Sequence, residues 1–463
     1  VGDSAGKTTQ GYSAVAVGVS AGITTQGTST VAIGNQAGST TQGDYAVATG
    51  YLAGNNTQGA YATAVGVQAG QTSQGTLAVA VGNAAGQTTQ GAYSVATGYL
   101  AGQTTQGGSA VAVGNSAGTT TQGTSAVAVG QSAGQTTQGN NSVAAGYFAG
   151  NNTQGASAVA VGNSAGQTSQ GTSATAVGYA AGQTSQGDNA VASGSLAGQT
   201  TQGIYAVAVG RSAGQTTQGS SAVAVGRSAG QTTQGAETVA VGHLAGNNTQ
   251  GNYAVAVGVN AGQTTQGTLT VAVGISAGQT TQGNSAVAMG YLAGNNGQGI
   301  SAVAVGVSAG RTTQGGSAVA VGISAGNSNQ GTYSVAVGRE AGDVNQGSSA
   351  VAVGYLAGQT TQGANGILIN SSGAALNDTS TGHIRLKSST GELSFTTAAG
   401  WDMSDDLAVT GDLVVQNSND RPKITLKDSS SSSRAELYIG DTVAGDADED
   451  ATYINTYGES LQV

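Results

Sequence analysis

The sixteen residues Tyr12-Ser13-Ala14-Val15-Ala16-Val17-Gly18-Val19-Ser20-Ala21-Gly22-Ile23-Thr24-Thr25-Gln26-Gly27 decide the fold. Their pattern returns every 16 residues from Gln10-Gly11 to Gln362-Gly363 without insertion or deletion. Twenty-three Gln-Gly pairs mark the register and enclose 22 complete units. A single inserted residue would displace every later one. A period held this strictly means that each unit occupies an equivalent place in a stack, as in a solenoid or fibre. With Tyr12 as position 1, position 5 is Ala in every unit (Ala16 to Ala352) and position 7 is Gly (Gly18 to Gly354). Positions 10 and 11 are always Ala-Gly (Ala21-Gly22 to Ala357-Gly358), and positions 15 and 16 are always Gln-Gly (Gln26-Gly27 onward).

Positions 2–6 read as a short strand. Val, with occasional Thr, Ile, Met, Ala or Ser, fills positions 4 and 6, and Ala fills position 5. Strand faces alternate with period two, so one face is branched and the other tiny. Positions 10–14 read as a second, Thr-rich strand, with Gly at positions 7 and 16 supplying permissive backbone for two turns. Ala favours helix, but three glycines per unit and abundant Val and Thr oppose one. The expected fold is all-β: a parallel β-solenoid or β-roll with one coil per repeat over 1–363, followed by a non-repetitive all-β region over 364–463.

Burying two Val side chains cannot offset the ordering of sixteen residues, so a lone coil does not stand and stacking must supply the rest. Gln26 and its equivalents are expected to form an amide ladder, and Thr24 and Thr25 hydroxyl ladders. The unvarying Ala of position 5 points to close packing there, with a neighbouring chain as the simplest occupant. At about 4.8 Å per coil, 22 coils make a shaft roughly 100 Å long.

Composition narrows the function. Gly 81, Pro 1, Cys 0 and 7% charged residues exclude a collagen, a disulfide framework and a thiolate metal site. Residues 1–363 carry five basic against six acidic side chains, while the last 100 residues hold six basic and fifteen acidic ones, most of the net charge of −10. A nearly neutral shaft with an acidic end does not suit nucleic acid. No apolar run reaches the roughly 18 residues of a membrane span. Val1 falls at the sixth position of a repeat, which reads as the start of an internal piece of a longer protein.

Candidate chemistry is sparse. His243 sits at variable position 8 as a surface residue, and neither it nor His383 has a nucleophile placed beside it by sequence. No catalytic site and no cofactor is expected, and the chain does not read as an enzyme. Asp446, Asp448 and Asp450 offer oxygen ligands for Ca²⁺ but lack EF-hand spacing, so a solvated acidic loop is the simpler reading. A 48-residue superperiod places Tyr51-Leu52, Tyr99-Leu100, Tyr147-Phe148, Ser195-Leu196, His243-Leu244 and Tyr291-Leu292 on every third coil. Asn55-Asn56, Asn151-Asn152, Asn247-Asn248 and Asn295-Asn296 follow the same phase. Block duplication explains the superperiod, and a surface stripe for a partner or glycan is its functional reading. A flat ice-binding Thr face is not expected, because Thr24 and Thr25 are adjacent and should point to opposite sides.

Beyond Gly363, strands are expected at Gly366–Asn370, His383–Lys387, Glu392–Thr397, Leu407–Val415, Lys423–Lys427, Ala435–Ile439 and Thr452–Tyr457.

The unit Ser-Ala-Val-Ala-Val-Gly-x-x-Ala-Gly-Gln-Thr-Thr-Gln-Gly resembles the repeats of YadA-like heads of trimeric autotransporter adhesins. It resembles still more their 16-residue relatives in bacteriophage tail fibres. Asp405-Asp406-Leu407-Ala408-Val409-Thr410-Gly411-Asp412-Leu413-Val414-Val415 is similar to connectors of phage and cyanophage fibres. The shaft resemblance covers 1–363. It implies a left-handed parallel β-roll of three identical chains, attached to other virion proteins at the virion surface and placing a tip for a host receptor or glycan. The adhesin heads differ in unit length, nearer 14 residues, and no coiled-coil stalk or membrane anchor follows within these residues. A bacterial surface adhesin and an ice- or surface-binding solenoid are the alternative readings.

Overall fold

A computed structural model describes residues 1–396 and 400–403. Two compact units divide the chain, Val1–Ser404 and Asp405–Val463, and the described residues all belong to the first. The candidate strands beyond residue 404 and the Asp446, Asp448 and Asp450 cluster lie outside the described residues.

The first unit is a parallel β-solenoid of about 24 turns, with no helix among the described residues. Each repeat contributes a Val strand, such as Val127–Val129, and as far as Thr281–Gln282 a two-residue strand, such as Thr137–Gln138. Like residues stack on like: Ala128 pairs with Ala144 and Gln138 with Gln154, and so on along both ladders. The second strand is shorter and later than positions 10–14, because Ala-Gly at 10–11 belongs to a turn. Gly134 there has φ 52°, and only Thr and Gln at 14–15 remain extended.

The inside and outside of the Val strand are reversed from the expectation of buried Val. Position 5 Ala faces the core, fully buried from Ala32 to Ala352, while Val17, Val65, Val129 and Val161 at position 6 are 37–42% exposed. The physical reason is the thinness of the coil: opposite walls approach closely enough that only Ala fits between them. The interior of each coil holds Ala at positions 5 and 10, a small residue at position 3, and the position 15 Gln. Where position 3 is polar, its hydroxyl is satisfied, as when Ser142 Oγ donates to the Gly139 carbonyl at 2.7 Å. Ala16 and its equivalents therefore pack within their own chain, and no neighbour reaches them.

The buried Gln closes the coil. Gln154 Nε2 donates to the Val143 carbonyl at 2.7 Å and to the Ala158 carbonyl at 3.3 Å, joining the two strands across the interior. Direct Gln-to-Gln links at this position occur in some coils, as from Gln202 to Gln218 at 3.1 Å. A second amide ladder, not anticipated from sequence, runs at position 12: Gln183 donates to Gln167, Gln199 to Gln183, Gln215 to Gln199 and Gln231 to Gln215, each at 2.9–3.0 Å.

Two kinds of backbone demand set the glycines. Gly130 has φ 126°, and a Cβ there would lie 2.6 Å from the Gly146 carbonyl oxygen of the next coil. Gly139 has no left-handed φ, but its Cβ would lie 2.5 Å from the Ala156 nitrogen, so close coil approach alone requires Gly. The corners themselves are left-handed non-glycine residues at positions 2 and 9, such as Ser125 and Ser132 with φ 55° and 54°.

The stacking does not stop where the sequence period does. Ile367–Asn370 pairs in parallel with Val351–Gly354, placing fully buried Leu368 opposite Ala352. Ile384–Lys387 pairs in parallel with Ile367–Asn370 after a 17-residue step. Glu392–Thr396 and Gly400–Met403 then continue antiparallel. The strands expected at Gly366–Asn370, His383–Lys387 and Glu392–Thr397 are thus present, within a residue at their ends.

Candidate functional site

Four surface features emerge from this register. The first is an apolar strip. Positions 4 and 6 lie on the outer face of the Val strand, half-buried and more exposed respectively, and are apolar from Val15 and Val17 to Val351 and Val353 except at Thr49, Thr63, Thr97, Thr175 and Ser193. Adjacent coils are about 4.8 Å apart and the two columns about 7 Å. Among the described residues nothing covers them.

The second is a pair of hydroxyl columns. Thr24 and Thr25 are both exposed, as are their equivalents Thr136 and Thr137. The expected opposition of their side chains fails because Thr24 lies in a bend, and the residue alternating inward is Gln26. Position 14 carries Thr or Ser in 18 consecutive strands from Thr9–Gln10 to Thr281–Gln282. Beyond that, Gly297, Asn329 and Asn345 take left-handed φ at this position and the second strand gives way to isolated bridges.

The third is the 48-residue stripe. Tyr51, Tyr99, Tyr147 and Tyr291 are about half exposed, and their neighbours Leu52, Leu100, Phe148 and Leu292 hold left-handed corners with φ 53–56°. Members three coils apart are separated by roughly 14 Å, so they form isolated spots and not a continuous surface. The amides in the same phase have structural partners. Asn151 Nδ2 donates to the Ser132 carbonyl, Asn247 to that of Ser228 and Asn295 to that of Ser276, each at 2.9 Å. Each fixes the corner of the coil before it.

The fourth is a polar cleft of about 460 Å³ where the solenoid ends, lined by residues including Thr360, Asn377, Asp378, Ser380, His383 and Arg385. His383 Nδ1 lies 3.0 Å from Asp378 Oδ2. Arg385 pairs with Glu392 and donates to the Asn377 carbonyl at 2.8 Å. Burial would push the Asp378 carboxyl up, but hydrogen bonds from the Ser380 N–H and the His383 ring outweigh it and hold the group below the usual carboxylate range. Among the described residues no hydroxyl hydrogen-bonds to the His383 ring. The ring, two carboxylates and guanidinium form a charge network that ties the last coil to the antiparallel strands. The sequence draws the eye to His383 as one of two histidines but not to its partners, which come from separate segments with no motif spacing.

His243 lies on the surface at position 8 and its Nε2 contacts Arg227 Nη2, a contact between consecutive coils. Among the described residues no cluster of three or more metal-ligating side chains occurs, and no helix is long and apolar enough to cross a membrane. No family model, curated protein or solved structure matches this chain.

Proposed function

We propose that residues 1–363 are the shaft of a homotrimeric fibre at the surface of a virion, of the tail-fibre kind, which extends and positions a receptor-binding tip. The observation that carries this reading is the uncovered Val strip. It runs for about 100 Å and presents on the order of 1,000 Å², more than an ordinary monomer exposes in one apolar patch and comparable with the side of a stable interface. Its flat, repeated geometry suits an identical strip on another copy in the same register, and threefold closure leaves no strip open. The role is mechanical, and the reading assigns no catalysis, cofactor, nucleic acid or membrane insertion. Antibodies raised against the chain test it by electron microscopy: labelling of virion appendages is expected. Labelling of a bacterial envelope would replace it with the adhesin reading, and labelling of neither would overturn both.

One observation favours a second reading. With both Thr columns exposed, the objection to an ordered hydroxyl face loses its ground: position 14 presents 18 consecutive hydroxyl ranks at the coil spacing, and position 13 accompanies them except at Asn56, Asn152 and Asn248. A surface- or ice-binding role predicts measurable thermal hysteresis for the full chain, and growth of ice at the melting point without a hysteresis gap sinks it.

A further inference from the structure

Position 8 is the outermost residue of one corner, and its column reads Ser195, Arg211, Arg227, His243, Val259 over five consecutive coils. Arg211 and Arg227 account for two of only five basic residues in 1–363, yet they occupy adjacent rungs with His243 on the next. Their backbones are fixed: the Ser228 N–H donates to the Arg211 carbonyl at 2.9 Å and the Leu244 N–H to the Arg227 carbonyl at 3.0 Å. The three side chains therefore start about 4.8 Å apart. Both arginines are exposed, and among the described residues neither forms an ion pair with a carboxylate.

The third arginine at position 8 makes the contrast. Arg339 pairs with Glu340 at 3.1 Å and lies 5.7 Å from the centroid of the Tyr355 ring. Where a lone Arg occupies this column the chain supplies a carboxylate and an aromatic face. Where two are stacked it supplies no carboxylate, only the His243 Nε2 against Arg227 Nη2, and two like charges repel along a rigid ladder. Packing does not account for that arrangement, because the side chains project from a corner whose hydrogen bonds are already made by backbone.

We propose that Arg211, Arg227 and His243 form an oxyanion-binding site on the side of the shaft, taking a phosphate, sulfate or carboxylate group carried on a surface polymer. Planar guanidinium groups on consecutive rungs present parallel N–H pairs suited to a tetrahedral or carboxylate oxyanion. His243 holds the Arg227 guanidinium through its Nε2 and so flanks the pair at one end. Arg211 and Arg227 lie two residues beyond Val209 and Val225 of the Val strip, across the position 7 Gly. The chain as a whole carries a net charge of −10, so attraction of a polyanion by overall charge is not expected, and binding isolates the local cluster.

The test is fluorescence anisotropy of labelled linear polyphosphate, dextran sulfate, polyglutamate and neutral dextran against the full chain at low and moderate salt. At least one charged polymer binds, neutral dextran does not, and added salt weakens the complex. Arg211→Gln with Arg227→Gln lowers affinity at least tenfold, His243→Gln lowers it less, and Arg311→Gln, at a position outside this column, stays within twofold of the parent. Preference among the three polymers assigns the group as phosphate, sulfate or carboxylate. The proposal is overturned if no charged polymer binds, or if the doubly substituted chain, with an unchanged melting curve, binds as the parent does.

Discussion

At the scale of single residues, this fold is governed by what a very narrow interior and four special backbone positions allow. The buried Gln is the clearest case. Gln154 donates to the Val143 and Ala158 carbonyls in a space otherwise lined by Ala, so Gln154→Leu removes the side-chain bonds that cross the coil, while the Ala158 carbonyl keeps only its bond from the Val143 N–H. A loss of about 2 kcal/mol is expected, read from the denaturation midpoint of the full chain. Gln103→Leu, in the half-exposed ladder at position 12, should cost less than half as much. The corners obey a second rule. No Val, Ile or Thr occupies position 2 or 9 in any coil, although all three abound elsewhere; β-branching and left-handed φ are incompatible. Ser132→Val, forced into φ 54°, is expected to destabilise by about 1–2 kcal/mol, whereas Ser132→Gly should be neutral or better, by the same measurement.

At the scale of the element, the coil and not the strand is the unit of stability. A two-residue strand such as Thr137–Gln138 has meaning only between its copies above and below. Removing the sixteen residues 124–139 rejoins equivalent positions and should leave circular dichroism and cooperative melting nearly unchanged, whereas removing fifteen throws the later coils out of register and should abolish cooperative melting. The final coils add an acid-sensitive lock. The Asp378 carboxyl is held below its ordinary range by Ser380 and His383, so its stabilising contribution is full above the unfolded value and is lost as pH falls through the lower folded one. Hydrogen exchange of residues 376–396 should rise below about pH 4, and Asp378→Asn should remove that dependence. This element also marks how far the sequence can be read. Periodicity is enough for coil, register and boundary, because identity every sixteen residues reports stacking directly. It does not tell which face of Val-Ala-Val turns inward, since alternation is symmetric and the habit of burying Val misleads in a lumen this thin. The signal that resolves it is present: position 5 never varies from Ala, while position 6 accepts Thr49, Ala145, Ser193 and Met289. Asp378, Asn377 and Arg385 are illegible for a different reason, because their meeting depends on how the period ends.

At the scale of the whole molecule, the described solenoid carries its valines on the outside and packs Ala with the position 15 amides within. Such a body satisfies its backbone hydrogen bonds internally yet leaves a long Val strip in water, and association of copies is the direct way to cover it. The fibre reading rests on that strip, and the polymer-binding site at Arg211 and Arg227 rests on charge alone, so the two stand or fall separately. The most direct test of the central claim is the native mass of the full chain by light scattering across a wide dilution series, together with a variant bearing Val127→Lys and Val129→Lys on the outer face. The account predicts three times 44.1 kDa, stable to dilution, and a lower mass or a complex that dissociates on dilution for the variant, with its circular dichroism retained. A folded, monodisperse monomer at every concentration would contradict it.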